Sequence, residues 1–174
     1  MLRVRLRTIL IALVALVAIG SAVSTIPNVK LGFYSHKDCS VGSTALLVDF
    51  GTGSTPESEL SCAAGYHGTG WDLFKAVGFR VEGTSNYPTG FVCRIEDVPA
   101  ASSEPCLETP AASAGHWAYF YATAADPHTW HFSPIGAGMR KPNCGDWDGW
   151  RYLLPGEDPL SNQPRQVPNA YRCN

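Results

Sequence analysis

Trp117, Tyr119 and Tyr121 alternate with Ala118, Phe120 and Ala122 in the segment HWAYFYA. A period of two puts the three larger polar-tipped rings on one face of a strand and the other set on the opposite face. A row of aromatic faces can stack on flat ligands, sugars or other rings. Trp130, in the following TWHF segment, and Trp147, next to Asp148-Gly149, extend the set of candidate binding residues. The chemistry implied is recognition by shape and stacking. The competing use is core: the same rings could pack on a helix carrying Trp71 and Phe74, although the face of Ala118, Phe120 and Ala122 suits close helix packing better. Trp150 reads more as a plug at the end of the core than as a pocket rim.

Other reactive groups are scattered. His128 and His131 fall on opposite faces of a strand, so one metal cannot take both without a bend. His116 stands beside Trp117, at the start of the aromatic strand. Asp146 and Asp148 have the start of a calcium-loop spacing but lack its later ligands and terminal glutamate, so turn chemistry is the expected use. No GxSxG elbow, P-loop or complete dinucleotide fingerprint occurs. The GTGSTP and GAGMRK segments lack the third glycine. Carboxylate spacing proposes no glycosidase pair. The expectation is a protein that is not an enzyme and that holds no metal.

The chain opens with Arg3, Arg5 and Arg7, an apolar run from Ile9 to Ile19, and small residues Gly20, Ser21 and Ala22. That is the pattern of a secretory signal, with cleavage expected after Ala22. The run is short for a membrane span, which needs about 20 apolar residues. Membrane contact is expected only through this segment if it stays uncleaved. Removing it takes three of the 13 basic residues and none of the 15 acidic ones. The acidic remainder is not built for nucleic acid, which demands a basic face.

The six cysteines all follow that segment, and an even count in an exported chain reads as disulfides. No pair has CxxC spacing, which disfavours a zinc knuckle or redox motif. Six cysteines allow 15 pairings. Cys93–Cys106 is expected to clip the loop after a central strand. Cys144–Cys173 would tie the tail back to the domain, which leaves Cys39–Cys62. With all six oxidised, no thiol nucleophile remains.

The elements that must position these residues follow in order. Residues 1–22 are the signal, 23–44 an exposed lead-in, 45–153 the domain and 154–174 a Pro-rich tail. ALLVDF, from Ala45 to Phe50, is a buried strand, and Gly51 to Glu59 a turn-rich loop. Leu60 to Tyr66 is ambiguous. Thr69 can cap a short helix, with Asp72 in the capping-box position and Gly78 as its stop. Trp71, Phe74 and Val77 recur at helical spacing, so the helix must pack on a sheet. Phe79–Gly83 and Phe91–Glu96 are strands. Pro99 to Gly115 is a surface loop expected to be mobile. HWAYFYA, TWHF and GWRYL supply the remaining strands, and prolines at 155, 159, 164 and 168 exclude regular structure from the tail. The fold class is α+β: a small, largely antiparallel sheet with one short packed helix, stapled by disulfides, its other face partly open.

GWDLFKAVGFRVEGT, GFVCRIEDVP, HWAYFYA with TWHFSPIGAG, and GDWDGWRY occur in that order. Together they resemble the transcobalamin-like C-terminal domain of exported proteins, and in particular an actinobacterial secreted family built on it. The resemblance covers roughly Ala45 to Tyr152. Trp71 stands where that pattern usually has an aliphatic residue, and Cys144, Cys173 and the tail lie outside it. The resemblance implies a small sheet with a helix that closes over cobalamin or another corrinoid. It also implies that Trp117 to Phe132 face the ligand. The expected function is thus an exported, non-catalytic binding module for a flat ligand held on Trp117, Tyr119, Tyr121, Trp130 and Trp147. The alternative is a cell-envelope protein-interaction or carbohydrate-binding domain without a small-molecule ligand.

Overall fold

A computed structural model of the chain describes residues 39, 41–54, 56–111 and 113–173. The expected signal segment, most of the lead-in and His36 lie outside the described residues. The elements are β1 (Ser43–Asp49), β2 (Ser58–Ala64), α1 (Gly70–Val77), β3 (Val81–Gly83), β4 (Val92–Ile95), β5 (His116–Thr123), β6 (Asp126–Phe132) and β7 (Trp147–Leu153). Five strands form one sheet in the order β2-β1-β7-β5-β6, and β3 and β4 form a separate pair. All strand pairs are antiparallel except β1 with β7, so the sheet is mixed. The α+β expectation holds at that level, with one parallel pair added and two strands set apart as their own sheet.

The ambiguous stretch is resolved as β2, an edge strand that starts inside the expected loop. Its residues are half-buried and unpatterned, which is why periodicity did not mark it. β1, by contrast, is buried along its whole length, as its apolar run requires of a central strand.

Helix α1 begins and ends on its local signals. The Thr69 side chain accepts from the Asp72 amide, and the Asp72 carboxylate accepts from the Thr69 amide. Gly78 closes the helix at φ 92°, a left-handed conformation that a side chain resists. Eight residues cannot form a stable helix alone. Leu73 and Phe74 therefore go into a core with Leu46, Val48, Val92, Ile95 and Trp150.

The two sheet faces carry separate cores. On the helix face lie the even-numbered β1 residues, Trp117, Tyr119 and Trp150. On the other face lie Ala45, Leu47, Ala118, Phe120, Ala122, Trp130, Trp147 and Leu153, together with Ala170 from the tail. That second face was expected to be partly open. Instead the Pro-rich tail lies across it as an ordered strap. Gln166 C=O accepts from Trp130 Nε1 at 2.8 Å, Gln163 C=O accepts from Arg151 at 2.8 Å, and the Ala170 amide donates to Pro127 C=O at 3.0 Å. The prolines exclude helix and sheet but not an extended strap with side-chain and carbonyl contacts. Gly149 makes room for it: a Cβ there would stand 2.7 Å from the Trp130 ring and 3.2 Å from Pro164.

Three disulfides hold the periphery: Cys39–Cys62, Cys93–Cys106 and Cys144–Cys173, with Cα separations of 5.5, 5.6 and 5.8 Å. They clip the approach to β2, the loop after β4, and the end of the strap. The loop after β4 is also tied from inside. Buried Arg94 donates to Pro99 C=O at 2.6 Å and to Glu104 C=O at 2.7 Å, and pairs with Glu82 at 2.8 Å. Its first half is thus pinned rather than free. Among the described residues no helix is long and apolar enough to cross a membrane.

Candidate functional site

The expected aromatic wall does not face solvent. Trp117 is 4% exposed and Tyr119 6% exposed. Trp117 packs edge-on against Phe50 and Tyr152, and its Nε1 donates to Val98 C=O at 3.0 Å. Tyr119 stacks on Trp150 with ring centroids 4.5 Å apart. The helix and the β3–β4 pair cover this face, where Leu73, Phe74, Val92 and Ile95 share one core with these rings. Trp130 and Trp147 are buried on the opposite face, 6.3 Å apart and under the strap. The five candidates therefore form no common stacking surface, and the open-wall arrangement is corrected. Only Tyr121 is partly exposed, with the Arg140 guanidinium 4.9 Å from its ring centroid and the His131 ring beside it.

The hydroxyl of Tyr119 and the guanidinium of Arg140 converge on Asp148. Tyr119 Oη donates to Asp148 Oδ2 at 2.5 Å, and Arg140 Nη1 donates to Asp148 Oδ1 at 2.5 Å. Arg140 Nη2 reaches Asp146 at 3.0 Å, and Asp146 also accepts from the Asn143 amide. Asp146 thus does turn chemistry as expected, whereas Asp148 sits inside β7 and holds a buried ion pair. Complete burial pushes the Asp148 carboxyl up to about 6, against the opposing pull of Arg140 and Tyr119. Burial, reinforced by the Asp148 charge, raises the Tyr119 hydroxyl far above the usual phenol range. Gly70, first residue of α1, packs directly on this knot: a Cβ would stand 2.5 Å from Tyr119 Oη and 2.7 Å from Asp148 Oδ2. The Gly70 and Trp71 amides donate to Arg140 and Ala137 carbonyls, so the loop before β7 is fastened to the helix start. Every partner is satisfied and enclosed, which makes this a structural lock.

An accessible apolar feature lies at the sheet edge. A half-open cleft of about 400 Å³ runs beside the start of β5, between Gly90–Val92 and Phe132–Ala137. Trp117, Tyr119 and Trp150 contribute to its floor, so two of the expected binding residues reach it from the core. Phe132 and Ile135 on its rim stay 44% and 43% exposed. Its volume lies in the range of ligand-binding clefts, and its lining is largely apolar. Trp150 Nε1 is buried and has no acceptor among the described residues. An unpaired buried N–H costs about 1–3 kcal/mol.

The remaining candidates have local partners. His116 Nδ1 lies 3.3 Å from Ala114 C=O, His128 Nδ1 lies 3.1 Å from Pro168 C=O, and His131 Nε2 lies 3.1 Å from Asp126. Among the described residues no group of three His, Cys, Asp or Glu side chains is arranged to hold a metal ion.

Three arginines that organise the structure, Arg94, Arg140 and Arg165, drew no attention as residues of interest. Arg140 and Arg165 stand in Gly- or Pro-containing stretches and Arg94 inside β4, and no local pattern marks their partners. The cleft residues Phe91, Phe132 and Ile135 come from two separate segments, with Phe132 and Ile135 in one of them, and no single-segment pattern joins all three. No protein-family model, curated protein or solved structure matches this chain.

Proposed function

We propose that this is an exported, non-catalytic binding module whose contact site is the edge cleft beside β5. The observation that carries the reading is an apolar, half-open cleft with exposed Phe132 and Ile135 on its rim. Three disulfides fit an oxidising compartment, which supports export together with the amino-terminal signal pattern. The transcobalamin-like resemblance supports a binding role and makes a corrinoid the first small molecule to try. Such a ligand would insert an edge at Phe132 and Ile135; it would not lie flat on the β5 rings.

The test is a titration of the oxidised chain with cobinamide, cobalamin and the apolar dye anilinonaphthalene sulfonate, followed by tryptophan fluorescence and absorbance. Saturable signals that disappear in Ile135→Asp support the cleft as the site. Dye and corrinoid signals unchanged by Ile135→Asp would remove it. A dye signal without any corrinoid signal would remove the corrinoid and keep the cleft. A second reading, contact with a cell-envelope protein, is favoured by the position of the cleft on a sheet edge.

A further inference from the structure

We infer that the β5 edge takes up an extended, uncharged peptide segment of a partner protein as an added strand. The inference rests on the cleft being the binding site and assigns its occupant. In an antiparallel ladder the N–H and C=O of one residue point to the same side, and the side alternates along the strand. The Ser133 amide donates to Tyr119 C=O at 2.8 Å, which sets Tyr119 and therefore Trp117 toward the β6 side. The other neighbour agrees. The Asp146 carbonyl accepts from Ala45 on β1, so Trp147 through Leu153 in steps of two face β5 and pair with Ala122, Phe120, Ala118 and His116.

β6 covers only part of that edge. Its register with β5 runs from Thr123 to Phe120, and the Ser133 amide adds one final bond. Pro134 has no N–H to continue the ladder, and the chain turns away with Ser133 Oγ donating to Ile135 C=O. Among the described residues no main-chain bond on this side reaches the Tyr119 N–H or the N–H and C=O of Trp117. Trp117 and Tyr119, the residues that carry these three groups, line the cleft, and the groups stand in the donor-acceptor order that one further extended strand would satisfy. Main-chain pairing gives such added strands their affinity, and side pockets give their specificity.

The surroundings fix the chemistry of the occupant. The lining contains no acidic or basic side chain apart from His116. A charged peptide side chain would be desolvated there without a partner. Alternate side chains of an uncharged peptide would meet apolar walls at Phe91 and Ile135.

The test pans phage-displayed random eight-residue peptides on the full-length oxidised chain. Hits are resynthesised with and without N-methylation of their central amides. The expected hits are uncharged, lose roughly tenfold affinity or more on N-methylation or with Ile135→Asp, and slow hydrogen exchange at the Trp117 and Tyr119 amides. Hits indifferent to N-methylation, or an absence of hits, would overturn strand addition. If the dye still binds in a cleft-dependent way, the cleft reading survives that failure; if nothing binds, both fall. Self-association abolished by Ile135→Asp, with no peptide hits, would overturn the peptide and assign the edge to a second copy.

Discussion

The two faces of the sheet are sealed by the same device with opposite electrostatic outcomes. On the helix face, Arg140 from the loop before β7 meets fully buried Asp148. On the strap face, Arg165 meets fully buried Asp49, donating through its guanidinium and its backbone amide. Burial pushes Asp148 up to about 6. Burial also acts to raise Asp49, but bonds from Arg165 and the Gly51 amide together hold its carboxyl below the ordinary value. Arg165 lies partly in solvent and gives Asp49 its backbone amide, Nε and Nη2, with Nη1 on Glu57, whereas Arg140 gives Asp148 Nη1 and turns Nη2 to Asp146. Desolvation therefore wins on one face and hydrogen bonding on the other. With both faces closed, the cleft beside β5 is where core rings meet an opening to solvent.

The largest expected effect separates the two pairs. Arg140→Met leaves Asp148 buried with only Tyr119, and should cost about 3–5 kcal/mol in urea denaturation. Arg165→Met leaves Asp49 the Gly51 amide and Arg151 at 4.0 Å, so its loss should be smaller. Equal losses would break the comparison. The next effect is confined to the strap: removing Cys144 and Cys173 together should cost about 2–4 kcal/mol. Hydrogen exchange should then rise at the Trp130 indole and not at Trp117. Thr69→Ala should cost only about 0.5–2 kcal/mol by loss of the cap.

A pH series sharpens the same contrast. Asp148 has a folded value of about 6 against 3.8 when unfolded, so it binds its proton more tightly in the fold. Its contribution to stability is present below about 4 and is lost as pH rises toward 6. Asp49 has the opposite sign: its contribution is present above 3.8 and is lost as pH falls through its lowered folded value. The stability difference between the parent and Asp148→Asn should change between pH 4 and 6, and that for Asp49→Asn only below about 4. Coincident pH windows would contradict the assignment.

Much of the frame was legible because its signals are local. The Thr69–Asp72 box, the Gly78 stop, the β1 apolar run and the alternation in β5 each depend on neighbours in the chain. The cysteine pairs followed from placing loops and tail around those elements. What local pattern could not decide was which face of β5 the helix would take. Trp117 and Tyr119 offered rings for a ligand or for Phe74, and burial of Phe74 decided it. The strap was hidden because its bonds come largely from backbone carbonyls at Gln163, Gln166 and Pro168, which no side-chain pattern reports. The cleft joins residues from β4, β5 and the loop after β6, a juxtaposition that exists only in the fold.

The most direct test compares Trp117→Ala with Ile135→Asp for both stability and dye binding. Trp117 is core with a satisfied indole, so its loss should cost about 3–5 kcal/mol. Ile135→Asp should denature like the parent and fail to bind. A Trp117→Ala chain as stable as the parent, or an Ile135→Asp chain that binds normally, would contradict the division between a sealed core and a functional edge.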